Sequence, residues 1–141
     1  MYKFFLLLNF VVITSKINAQ NTRPAAPLDA AKYIEVSDDN HDFGNFVFGT
    51  PLSYSVKMKN ISKDTLFLTN IIVSCGCTTP HYKKGAYAPG SDIDLTIAYN
   101  GRNDGLLKKT LSVLLEDNKD GQIVKILRFQ GTGIVQNKVS N

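Results

Sequence analysis

The chain has 141 residues, of which 43% are hydrophobic and 20% charged, and a formal net charge of +4. That length suits a single domain with one core, and two cysteines are too few for a disulfide framework. The cations are spread along the chain instead of clustered, and Lys83-Lys84 and Lys108-Lys109 read as solvated strand ends. This excludes a nucleic-acid binder.

At the N-terminus, Met1-Tyr2-Lys3 is followed by ten uncharged residues from Phe4 to Ile13, and then by Ser15 to Ala19. These are the basic start, apolar centre and small-residue cleavage region of a signal peptide. A membrane-spanning helix needs about 20 apolar residues, whereas this run stops at Thr14 and meets Lys16. Residues 1–19 are therefore expected to be cleaved after Ala19, leaving an exported chain, periplasmic or secreted, with no transmembrane segment. No cysteine lies near the cleavage point to carry a lipid anchor. Cleavage removes Lys3 and Lys16, so the formal charge falls from +4 to +2.

Residues 20–32 contain Pro24 and Pro27 with several alanines and no hydrophobic period, which predicts a flexible linker. The domain is expected over 33–135. Weak strand signals occupy Tyr33 to Val36 and Phe43 to Phe48. Clear two-residue alternation then places Tyr54, Val56 and Met58 on one face of a strand. Leu66 to Val73 is a continuous apolar stretch suited to a central strand. Ile93, Leu95, Ile97 and Tyr99 alternate again, as do Leu111, Val113 and Leu115, and Leu127 with Phe129 marks a last strand. Turn chemistry separates them at Gly49-Thr50-Pro51, Ala88-Pro89-Gly90, Asn103-Asp104-Gly105 and Asp120-Gly121. About seven short strands with such punctuation, and no amphipathic helical period, predict an all-β, immunoglobulin-like antiparallel β-sandwich. Met58, Leu68, Leu95, Ile97, Val113 and Phe129 fall on the buried phase. The polar tail 136–141 is expected to fray.

The feature with most chemistry is Cys75-Gly76-Cys77. In an extended strand the two side chains point the same way with Cα atoms near the upper limit for a disulfide, and Gly76 permits a tighter turn. A bridge across so short a loop adds only about 1.6 kcal/mol by chain entropy. His81 follows four residues after Cys77, in a stretch where Thr78, Thr79 and Pro80 read as loop. Two thiolates and an imidazole are plausible ligands for Cu(I) or Zn(II). Four readings stay open: an oxidised structural pair, a metal site of Cys75, Cys77 and His81, a redox dithiol, and reduced buried cysteines. The Cys-x-x-Cys motif on a helix start that acidifies a thioredoxin thiol is absent. No cofactor motif is found and none is expected.

Other patterns carry less. Asp42-Phe43-Gly44 has the letters of the kinase triplet without a catalytic or glycine-rich loop. Asp92 and Asp94 share a strand face that reads as solvent-facing. Asp117 to Gly121 lacks the spacing of a calcium loop and reads as a hairpin turn. Asn60-Ile61-Ser62 fits a glycosylation sequon, and Asp64-Thr65-Leu66 resembles a bacterial O-glycan acceptor triplet. No Ser/His/Asp triad has sequence support.

Ser74-Cys75-Gly76-Cys77-Thr78 at the end of an apolar strand, then Pro89-Gly90, then an alternating strand ending Tyr99-Asn100, form a recognisable series. Phe43-Gly44, Gly49, Lys59-Asn60-Ile61-Ser62, Gly105 and Phe129-Gln130-Gly131 support it. Over Val36 to Val135 the chain resembles the bacterial domain of unknown function 1573, an immunoglobulin-like group similar to ASH and hydin-type domains. It departs from the common pattern at Leu115-Glu116-Asp117-Asn118. The resemblance implies this fold and an exported setting, and little about activity. The expected function is a non-catalytic binding or structural module of the cell envelope, with a protein or glycan partner. The alternative is a thiol-based metal-handling or redox protein.

Overall fold

A computed structural model of the chain describes residues 26–119 and 121–136. The expected signal peptide lies outside them, as does the tail beyond residue 136. Nine strands follow a short 3₁₀ turn at Ala30–Lys32: β1 (Ile34–Val36), β2 (Asn40–Val47), β3 (Leu52–Asn60), β4 (Leu66–Val73), β5 (Thr78–Tyr82), β6 (Gly85–Tyr87), β7 (Asp92–Tyr99), β8 (Gly105–Glu116) and β9 (Gln122–Ile134). They form two sheets, of order β1-β3-β7-β5 and β2-β9-β8-β4-β6. The result is the all-β immunoglobulin-like sandwich that the alternation predicts.

Burying one face of each sheet requires apolar side chains at every second residue, and the strands obey this. Tyr54, Val56 and Met58 of β3 face Ile93, Leu95 and Ile97 of β7, while Leu111, Val113 and Leu115 of β8 line the opposing sheet. Met58, Leu68, Leu95, Ile97, Val113 and Phe129 are each at most 1% exposed. The strongest ladder joins β8 to β9 in continuous antiparallel register from Gly105↔Gly133 to Glu116↔Gln122.

Three features differ from the expectation. First, β2 runs parallel to β9, from Asn40↔Arg128 to Val47↔Ile134, with a bulge between Asp42 and Asn45. The other pairings between strands are antiparallel. Second, β5 and β6 raise the count to nine, and residues 78–80 are strand instead of loop. Pro80 is tolerated because β5 is an edge strand paired only with β7, so its missing N–H interrupts no second ladder. Third, the stretch expected to be linker is docked from Leu28 onward. Leu28 N–H donates to the Gln122 carbonyl at 2.7 Å, and Leu28 packs against the core. Asp29 caps the 3₁₀ turn by accepting from the Ala31 N–H.

Close approach explains two glycines. A Cβ on Gly101 would collide with the Thr50 carbonyl, and one on Gly133 with that of Asn103. Both sit where the ends of β2, β7, β8 and β9 converge. Among the described residues no helix is long and apolar enough to cross a membrane.

Candidate functional site

The crossing from one sheet to the other runs through the cysteines. β4 ends at Val73 opposite Leu111. Ser74 prolongs the ladder by one rung, its N–H donating to the Thr110 carbonyl at 3.1 Å and its hydroxyl accepting from the Thr110 N–H at 3.4 Å. The chain then turns, and the Thr78 N–H donates back to the Cys75 carbonyl at 3.3 Å. This turn brings the Cα atoms of Cys75 and Cys77 to 5.3 Å, and the two residues are joined as a disulfide. Asn100 N–H donates to the Cys77 carbonyl at 3.1 Å, and β5 begins. Cys77 packs against the core, Gly76 is exposed, and the Thr78 hydroxyl lies 3.6 Å from the Cys75 sulfur.

His81 does not join them. It sits on the outer face of β5 beside Thr79 and opposite Thr96, whereas Thr78, Pro80 and Tyr82 turn inward. Among the described residues no three His, Cys, Asp or Glu side chains gather as a metal requires. Strand phase places the His81 imidazole on the outer face of β5, while the Cys75 and Cys77 sulfurs are bonded to each other. Tyr82, one residue on, turns the other way. Its hydroxyl donates to Asn70 Oδ1 at 3.1 Å and accepts from the Ile71 N–H at 3.2 Å, tying β5 to β4.

Sequence reasoning missed an aromatic cluster. The His41 ring stacks on Tyr54 with centroids 4.2 Å apart and planes within 4°. Phe43 meets both rings edge-on. Phe129 contacts Phe43, Tyr54 and Tyr99. Asp38 holds His41 Nδ1 at 2.6 Å. Tyr54 is 7% exposed and its hydroxyl has no partner among the described residues. Burial first, and the nearby Asp38 charge second, push the Tyr54 phenol well above its ordinary range. The available signal was the alternation of His41 with Phe43, which extends the weak strand back to Asn40.

The outer face of the five-stranded sheet carries a shallow depression of about 390 Å³ over the β2 bulge, lined by Asp42, Asn45, Leu106, Lys108, Gln130 and Thr132. The Gly44 N–H and then the Gln130 amide hold the Asp42 carboxyl below its ordinary value. Large apolar side chains share this face: Leu106 is 68% exposed and Ile72 53%. Ile134 and Val47, neighbours in the β2–β9 register, are exposed as well.

The buried polar side chains hold turns. Asn60, fully buried, donates to the carbonyls of Asp64 and Tyr87 and accepts from the Ser62 N–H and hydroxyl. Its amide is therefore no glycan acceptor in the folded chain. Asp117 accepts from the N–H groups of Lys119 and Gly121, which makes it the anchor of a hairpin turn.

The profile described as "Protein of unknown function (DUF1573)" matches residues 34–132. The chain belongs to the DUF1573 family. No curated protein matches it. Among solved structures it is similar to the Vibrio cholerae VesB protease, at 14% identity and TM-score 0.63, over 72% of this chain and 32% of that one. It is similar to the ASH/PapD-like domain of human CEP192, at 10% identity and TM-score 0.61, over 87% of this chain and 100% of that one. It is also similar to the periplasmic chaperone SfaE, at 10% identity and TM-score 0.54, over 77% of this chain and 59% of that one. The chain spans about a third of the VesB chain. At these identities the likeness is one of fold.

Proposed function

We propose that this DUF1573 protein is an exported, non-catalytic module of the bacterial cell envelope that binds a protein partner through the outer face of its five-stranded sheet. The observation that carries this is the set of exposed apolar side chains on that face, led by Leu106 and Ile72. Water-exposed apolar surface of this kind is characteristic of protein contacts. A similar fold also serves as a periplasmic chaperone in SfaE, which is support at the level of fold.

The test is site-specific photocrosslinking in the native bacterium. A photoreactive residue at Leu106 or Ile72 is expected to give a discrete, light-dependent adduct of protein mass in the envelope fraction. The same residue at Thr96, on the outer face of the other sheet, is expected to give none. Adducts of glycan character would move the partner to polysaccharide. Equal labelling at all three positions, or recovery of the chain from the cytoplasm, would overturn the reading.

A further inference from the structure

We propose that the Cys75-Gly76-Cys77 turn is a thiol–disulfide exchange site whose substrate is a dithiol on another protein of the same compartment. The inference goes beyond the binding reading and shares with it only the export of the chain.

A structural clip joins parts that would otherwise separate. This bridge joins residues that the main chain already holds. Ser74 is bonded to Thr110, the Cys75 carbonyl to the Thr78 N–H, and the Cys77 carbonyl to the Asn100 N–H. Beyond it, β5 is locked to β7 from Thr78↔Tyr99 to Tyr82↔Leu95. Breaking the sulfur–sulfur bond leaves each of these contacts in place, so the two thiols stay poised to close again.

Access favours exchange on one side. Gly76 is exposed, and a Cβ built on it meets nothing within 4 Å, so the outer side of the turn is open to a bulky thiol. Accessible disulfides are the more readily exchanged ones. Both cysteines are half-buried, and Cys77 is the one packed against the core, so the incoming sulfur is placed at Cys75.

One substrate thiolate attacks the Cys75 sulfur, forming a mixed disulfide and breaking the bond to Cys77, whose sulfur leaves and takes up a proton. The second substrate thiolate attacks the substrate sulfur of that mixed disulfide and releases Cys75, which is protonated in turn. The substrate dithiol becomes a disulfide, the bridge becomes two thiols, and two electrons with two protons pass to this chain.

The test uses the full chain purified oxidised from the envelope, with reduced ribonuclease A as the protein dithiol and glutathione as the small thiol. Incubation with reduced ribonuclease A, acid quench and alkylation is expected to add two alkyl groups per chain, with the β-type circular dichroism unchanged. Glutathione disulfide is expected to react about ten-fold faster with the Cys77→Ser chain, at Cys75, than with the Cys75→Ser chain. That preference should vanish in a peptide covering residues 72–80. A bridge that resists both thiols, reduction by glutathione alone, loss of the β signal on reduction, or equal rates at the two cysteines would each overturn the proposal. None of these outcomes bears on crosslinking at Leu106, so the two readings fail separately.

Discussion

Tyr54 and Asn60 are buried polar residues in opposite energetic positions. The Tyr54 hydroxyl is buried with no partner among the described residues, a condition that costs about 1–3 kcal/mol. Tyr54→Phe is therefore expected to leave the urea midpoint unchanged or raise it, and a loss above about 1 kcal/mol would mean the hydroxyl is bonded after all. The same burial sets a pH dependence. Because the folded phenol titrates above its ordinary 10.0, its contribution is intact below that pH. As pH rises past it the unfolded chain loses its proton first, so stability falls. Burial raises Tyr87 and Tyr99 in the same direction. Tyr54→Phe should make the alkaline loss shallower without abolishing it, which denaturant titrations at successive pH values will show. Asn60 makes four side-chain bonds in a fully buried site. Asn60→Ala leaves those partners unpaired and is expected to cost about 2–3 kcal/mol in equilibrium unfolding.

Sheet edges set the behaviour of the elements. β5 ends one sheet and is guarded by Pro80, which cannot donate to an added strand. β9 is guarded differently. Leu28 covers it at Ile123 and β2 joins only from Arg128, so the segment between has an open flank. There Lys125 reaches Asp39 at 2.6 Å, placing a charge where a second strand would otherwise add. Lys125→Val should change stability little, since part-exposed pairs are worth about 1 kcal/mol or less. It should increase concentration-dependent self-association relative to the wild-type chain, as read by sedimentation velocity. Unchanged sedimentation would show that this flank needs no guard.

For the whole molecule, the N-terminal boundary is the decisive feature. The segment Leu28 to Lys32 is part of the sandwich and closes one end of the β9 edge. A chain beginning at Tyr33 is expected to lose about 1 kcal/mol relative to one beginning at Gln20, because a half-buried Leu returns to water. Coincident unfolding curves would mean that the segment does not dock.

The sequence alone determined the sandwich and its buried phase, because the two-residue period of a half-buried strand is a local property that each segment carries by itself. Met58, Leu95 and Phe129 were legible for that reason. So was the pairing option of Cys75 with Cys77, whose separation of two residues needs no long-range contact. Tertiary structure decided the rest. The parallel seat of β2 on β9 depends on partners far apart in the chain. The strand state of Thr78 to Tyr82 comes from docking on β7, which overrides the loop-like composition around Pro80. That docking also turns His81 outward, away from the cysteines. The stack of His41 on Tyr54 required two strands of different sheets to meet. Strand periodicity gives the face of a residue, and only the pairing of strands says what that face will touch.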